Sequence, residues 1–78
     1  MVTPEQIRSY IEEGLDCDEL RVTGDGEHFE ALIVSGAFRG KSRVQRHQLV
    51  YAALGDRMRG EIHALSMRTL TPEEAANG

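Results

Sequence analysis

The sequence predicts a small α/β domain of the α+β kind, ordered α-β-β-α-β-α, with a three-stranded sheet and its helices packed mainly on one face. Three observations carry this. Thr-Pro-Glu segments at Thr3 and Thr71 are strong helix starts near the two ends of the chain. Two strand-like runs flank an Asp-Gly turn at Asp25-Gly26. From Ser42 to Arg59 apolar residues recur at helical spacing, and Gly60 and a third strand-like run follow. With neither repeat nor linker, residues 1–78 are expected to form a single domain. A chain of this length buries only about 60–65% of its unfolded surface, so the core is modest.

Each element has a local cause. Thr3 caps the first helix, Pro4 suits its first position, Glu5 favours the positive end of the helix dipole, and Gln6 closes a capping box. Ile7, Tyr10 or Ile11, and Leu15 make its apolar stripe, which Gly14 and Asp16-Cys17-Asp18 end. Glu19 to Thr23 alternates with Leu20 and Val22 on one side, and Phe29 to Ser35 is rich in strand formers. Gly24-Asp25-Gly26-Glu27 joins them as an antiparallel hairpin with His28 at its mouth. The second helix, expected over 42–59, should bury Val44, Tyr51, Leu54 and Met58, with Val50 alongside and His47 in the same stripe, and stop at Gly60. Glu61 to Thr69 reads as the third strand, with His63, Leu65 and Met67 on one face. Thr71-Pro72-Glu73-Glu74 starts a short last helix that frays at Ala76-Asn77-Gly78.

The formal net charge is −4, yet Arg39, Lys41, Arg43 and Arg46 supply four of the nine Lys/Arg residues, and no acid lies between Glu30 and Asp56. One positive face is expected, suited to an acidic partner or a nucleic-acid backbone. The overall acidity argues against a protein that coats nucleic acid mainly by neutralising phosphates. A single cysteine, Cys17, excludes an internal disulfide and a CxxC pair for zinc or redox work. No run approaches the roughly 18 apolar residues of a membrane span. The first residues have neither the basic flank nor the apolar run of a secretion signal, so the cytoplasm is the expected compartment, with no membrane partner.

Little in the chain suggests catalysis. Ser35 to Ser42 (SGAFRGKS) looks like a phosphate loop, but that motif needs four residues between its glycines and only Ala37, Phe38 and Arg39 lie there. A helix capped by Ser42 with solvated charges is the simpler reading. Asp16, Asp18 and Glu19 beside Cys17 raise its pKa, the wrong direction for a nucleophile. No Ser/His/Asp set, paired carboxylates or HExxH helix occurs, and a non-enzymatic protein is expected. His47 reads as a packed helix residue. His28 opens the second strand and His63 the third, so a sheet that aligns those ends would offer two imidazoles to a soft or borderline metal. Each is otherwise an ordinary surface histidine. Two imidazoles do not complete a four-ligand site, so further ligands must come from elsewhere.

The segments Val22-Thr23-Gly24-Asp25-Gly26-Glu27-His28-Phe29, Phe38-Arg39-Gly40-Lys41-Ser42-Arg43, Arg46-His47-Gln48-Leu49-Val50-Tyr51 and Ile62-His63-Ala64-Leu65-Ser66, leading to Thr71-Pro72-Glu73-Glu74, resemble the BolA family almost end to end. The Gly-Asp-Gly-Glu-His-Phe form is most similar to its short bacterial branch. The resemblance implies a fold like a type II KH domain and a monothiol glutaredoxin of the CGFS type as partner. The pair would hold a [2Fe-2S] cluster for iron–sulfur trafficking or iron regulation, ligated also by the glutaredoxin cysteine and glutathione. The isolated protein is expected to carry no cofactor and to be a monomer, forming a heterodimer with its partner. The family's C-terminal ligand histidine corresponds to His63, and His28 is the second candidate by proximity. Asp25 stands where some relatives have cysteine, and Ala75 where many have tryptophan. Imidazole in place of thiolate lowers the cluster's negative charge and raises its potential.

Arg43, Arg46 and His47 are expected to face the partner or support the site, although three helical positions so close together cannot all face one way. The alternative is a KH-like, DNA-binding transcriptional regulator, since some family members are described so, with Arg39, Lys41, Arg43 and Arg46 on the backbone. Against it, Gly40-Lys41-Ser42-Arg43 lacks the second glycine of a KH GXXG loop. Two Tyr and two Phe are also too few for a base-stacking platform. A third reading keeps the glutaredoxin partner and has no metal.

Overall fold

The computed structural model describes residues 2–78; Met1, the first residue of the expected domain, lies outside them. The elements are α1 (Pro4–Gly14), β1 (Glu19–Gly24), β2 (Phe29–Val34), a 3-10 turn (Gly36–Phe38), α2 (Arg43–Leu54), a second 3-10 turn (Ile62–Ala64), β3 (Leu65–Leu70) and α3 (Pro72–Asn77). The three helix starts form as capping boxes. Thr3 Oγ1 accepts from the Gln6 N–H at 3.2 Å while Gln6 Oε1 accepts from the Thr3 N–H at 2.9 Å. Ser42 with Gln45 and Thr71 with Glu74 repeat the arrangement. No helix among the described residues is long and apolar enough to cross a membrane.

The sheet order is β1-β2-β3, and the hairpin is antiparallel with Leu20 opposite Ile33 and Gly24 opposite Phe29. β3 runs parallel to β2, from Phe29 opposite Leu65 to Val34 opposite Leu70. Parallel neighbours need a long crossover, here the segment that carries α2. The starts of β2 and β3 therefore lie side by side at one end of the sheet. One face of the sheet, through Leu20, Phe29, Ala31, Ile33 and Leu65, forms the core with Ile7, Ile11, Phe38, Val50, Leu54 and Met58. On the other face Arg21, Thr23, Glu30, Ser66 and Arg68 are exposed.

Two expectations for the second half are corrected. α2 ends at Leu54, because Gly55 turns the chain at φ +61° while its N–H donates to the Tyr51 carbonyl at 2.9 Å. A glycine adopts that backbone without strain, and Gly60 falls in the turns that follow. The inward row of α2 is Arg46, Val50 and Leu54, spaced i, i+4, rather than the row through Val44 and Tyr51. Val44 is 65% and Tyr51 43% exposed, whereas Met58 is buried from the turn after the helix. The third strand begins at Leu65 and not at Glu61, so His63 sits in the preceding 3-10 turn, outside the strand face that Leu65 and Met67 share.

The hairpin closes over a glycine for want of space. A Cβ on Gly24 would stand 2.5 Å from Phe29 Cδ1 and 2.7 Å from the His28 carbonyl oxygen. Gly24→Ala is expected to lower stability by about 1–3 kcal/mol, read as a lower urea midpoint with an unchanged m value. An unaltered midpoint would mean that the ring is free to move aside.

Candidate functional site

His28 and His63 reach the same end of the sheet by different supports. The Asp25 carboxylate accepts from the backbone N–H groups of Glu27 and His28, both at 2.9 Å, and the Asp25 N–H donates to the His28 carbonyl at 3.2 Å. These backbone hydrogen bonds hold the Asp25 carboxyl below the usual carboxylate range, chiefly the one from His28. The loop is thus fixed around His28, and Phe29, 1% exposed, anchors it to the core. His63 is positioned by the Ile62–Ala64 turn, in which the Ala64 N–H donates to the Glu61 carbonyl at 2.9 Å and Ile62 packs against the core. Both imidazoles are exposed. Parallel pairing of Phe29 with Leu65 places them one and two residues before facing positions. Among the described residues, no group of three or more His, Cys, Asp and Glu could hold a metal ion by itself.

The cations of the Arg39–Arg46 stretch do not form one free positive face. Arg39 donates to both carboxylate oxygens of Glu73, at 2.9 and 2.7 Å. Arg46 donates to both oxygens of Glu74, at 2.7 and 3.3 Å, and also to the carbonyls of Lys41 at 2.9 Å and Thr69 at 3.1 Å. Its side chain is only 14% exposed and its guanidinium lies 6.0 Å from the Phe38 ring centre. Lys41, Arg43 and Arg68 are in no ion pair among the described residues. Sequence pattern marks Glu74 only as half of a capping box; the sole hint of its second role is two adjacent acids following a cluster of unpaired cations.

These pairs set a pH dependence. The Arg39 guanidinium holds the Glu73 carboxyl down from 4.5 to about 2, and Arg46 does the same for Glu74. A carboxyl whose folded pKa is depressed stabilises the fold fully above its unfolded pKa and ceases to do so as pH falls through the folded one. Docking of α3 is therefore expected to weaken between pH 4.5 and 2. The amide of Ala75, which donates to the Thr71 carbonyl at 3.0 Å, should lose exchange protection over that range, corrected for intrinsic rates. Glu73→Gln/Glu74→Gln should flatten the loss; an identical profile would show that the pairs do not hold α3.

The remaining candidates are scattered. Arg43 is exposed, Arg46 points inward, and His47 is half-buried with its ring edge-on to Tyr51 at 6.5 Å between centres. Burial and then Arg43 lower the His47 pKa. These three do not converge. Burial pushes the Cys17 thiol up, and the carboxylates of Glu12, Asp16 and Asp18 add to it, so it is no activated nucleophile.

Fold and site together define a small α+β domain, a mixed three-stranded sheet under two helices, with its distinctive groups on the surface. The chain belongs to the BolA family: the family model for BolA-like protein matches residues 8–74. It is 39% identical over 72 residues to the acid stress protein IbaG of Escherichia coli, covering 91% of this chain and 86% of that one. Over 51 residues it is 43% identical to the DNA-binding transcriptional regulator BolA of Haemophilus influenzae, covering 65% of this chain and 50% of that one. The structure of a BolA homologue from Coxiella burnetii, 48% identical, superposes with a TM-score of 0.81 over 97% of this chain and 99% of that one.

Proposed function

We propose that this protein is a non-enzymatic, cytoplasmic adapter that binds a CGFS-type monothiol glutaredoxin and co-ligates a [2Fe-2S] cluster with it. His63 is the principal ligand on this side and His28 the second; the glutaredoxin cysteine and glutathione supply the others. Membership of the BolA family supports this. The observation that carries it is the parallel pairing of β2 with β3, which brings two exposed histidines from separate loops to one end of the sheet. Their donor chemistry fits half of a shared ligand set, since imidazole is an established substitute for thiolate on one iron of such a cluster. Two imidazoles do not hold the cluster alone, so the isolated protein is expected to be a monomer without cofactor. Arg43 and His47 are left to face the partner, while Arg46 supports the fold beneath them.

The test is a visible absorption and circular dichroism titration into a cluster-loaded CGFS glutaredoxin with glutathione. A spectral change saturating at one protein per glutaredoxin subunit is expected. An unchanged spectrum with no complex on gel filtration would overturn the reading, and a complex that forms equally well without iron would leave the partner and remove the cluster.

A second reading is duplex DNA binding. The Haemophilus relative is named as a DNA-binding regulator, and Lys41 and Arg43 are unpaired. It requires binding by the protein alone, weakening steeply with salt. Equal binding by Lys41→Glu/Arg43→Glu and the parent would exclude it.

A further inference from the structure

Two of the four cations of the Arg39–Arg46 stretch, Arg39 and Arg46, pair with two acids that arrive from the far end of the chain. The helix that brings them, α3, is six residues long and has no buried residue. Two forked ion pairs, Arg39 with Glu73 and Arg46 with Glu74, are its principal polar ties to the loop before α2 and to α2 itself. Arg46 does not depend on α3 for its position, because the Lys41 and Thr69 carbonyls hold the same guanidinium. The acids therefore occupy a cationic surface that other residues build. With them in place only Lys41 and Arg43 of the four are free; without them Arg39 is free as well, and Arg46, still held by the two carbonyls, has the edge that faced Glu74 uncovered.

We propose that α3 is an electrostatic mask over a face that takes the phosphate backbone of duplex DNA, with Glu73 and Glu74 standing where phosphates would sit. The inference rests on the second reading above and is independent of the cluster. A carboxylate fork on an arginine occupies the donors that a phosphate oxygen pair needs, so mask and ligand exclude one another. A tethered acid also competes at a high effective concentration. Duplex rather than single strand is favoured because Phe29 and Phe38 are buried and Tyr10 is covered by Arg57, 4.4 Å away. That leaves Tyr51 as the exposed ring, too little for base stacking.

The test uses the full chain, a labelled duplex of arbitrary sequence, and fluorescence anisotropy over a series of salt concentrations. Glu73→Gln/Glu74→Gln removes both acids yet keeps an amide at the third helical position, which sustains the capping box with Thr71. It is expected to bind the duplex at least about tenfold tighter than the parent at low salt, with a log–log salt slope about 1.8 more negative, from two freed cations. Glu5→Gln/Glu27→Gln makes the same change in net charge away from this face and is expected to leave slope and affinity close to the parent's. Should the double variant prove misfolded by far-UV circular dichroism, Glu73→Gln alone is expected to give about half the slope change. Parent and variant binding equally, or the control tightening as much, would overturn the mask alone. Absence of binding by all of them would overturn it together with the DNA reading. Binding of poly-glutamate by the double variant as tightly as duplex would point to an acidic protein instead and overturn the assigned ligand.

Discussion

His63→Ala is expected to abolish the visible circular dichroism of the mixed cluster complex while leaving the far-UV spectrum and the unfolding midpoint of the isolated protein unchanged. The two readouts separate because of where His63 lies. It is exposed in a 3-10 turn whose position is set by Ile62 and by backbone hydrogen bonds, so its side chain contributes little to folding. Exposed truncations of this kind usually stay within about 0.5 kcal/mol. In the proposed complex, by contrast, the change removes a ligand that nothing else at this end of the sheet replaces, since no ready cluster of further ligands occurs among the described residues. His28→Ala is expected to have a smaller effect, a faster loss of cluster from the complex. An unchanged spectrum for His63→Ala would remove that residue from the site.

Phe29→Ala should show the largest loss of stability. Phe29 is 1% exposed at the start of the central strand, opposite Gly24 on one side and Leu65 on the other. Truncating a buried phenylalanine costs about 3–5 kcal/mol. A domain of this size has a total stability of only about 4–12 kcal/mol. The variant is expected to lose between about a quarter and all of that stability, and both histidine supports weaken with it, because Phe29 ties His28 to the core and pairs with the start of β3. Phe29→Leu should cost far less and retain the complex. Urea unfolding of the three proteins checks this, and a fall of less than about 1 kcal/mol for Phe29→Ala would show that the ring does not hold the two strand starts together.

The helix starts and the hairpin were legible in the sequence because their causes are local. A capping box spans four residues, and an Asp-Gly turn between two strand-forming runs has one economical outcome. The end of α2 was less legible: Gly55 and Gly60 are both credible stops, and the apolar spacing of Val44, Tyr51 and Met58 favours the longer helix. Packing chose the row Arg46, Val50 and Leu54, with the guanidinium over the Phe38 ring and its charge satisfied by two carbonyls and Glu74. Such a choice depends on contacts 23 and 28 residues apart in sequence, to Thr69 and Glu74. The same holds for the charge of the basic stretch, which has no acid near it in sequence and two against it in space. Alternation alone puts His63 on a strand, whereas the turn before β3 takes up the extra residues that bring the chain back beside β2.

The most direct measurement is an electron–nuclear double resonance or pulsed electron paramagnetic resonance experiment on the reduced mixed complex, with 15N-histidine incorporated only in this protein. Strong nitrogen couplings from directly bound imidazole, of which one set is lost and the other kept in the His28→Ala complex, are the predicted result. A reduced cluster whose spectrum shows no coupling to the labelled histidines would contradict the account, because the cluster would then be held by the glutaredoxin and glutathione alone.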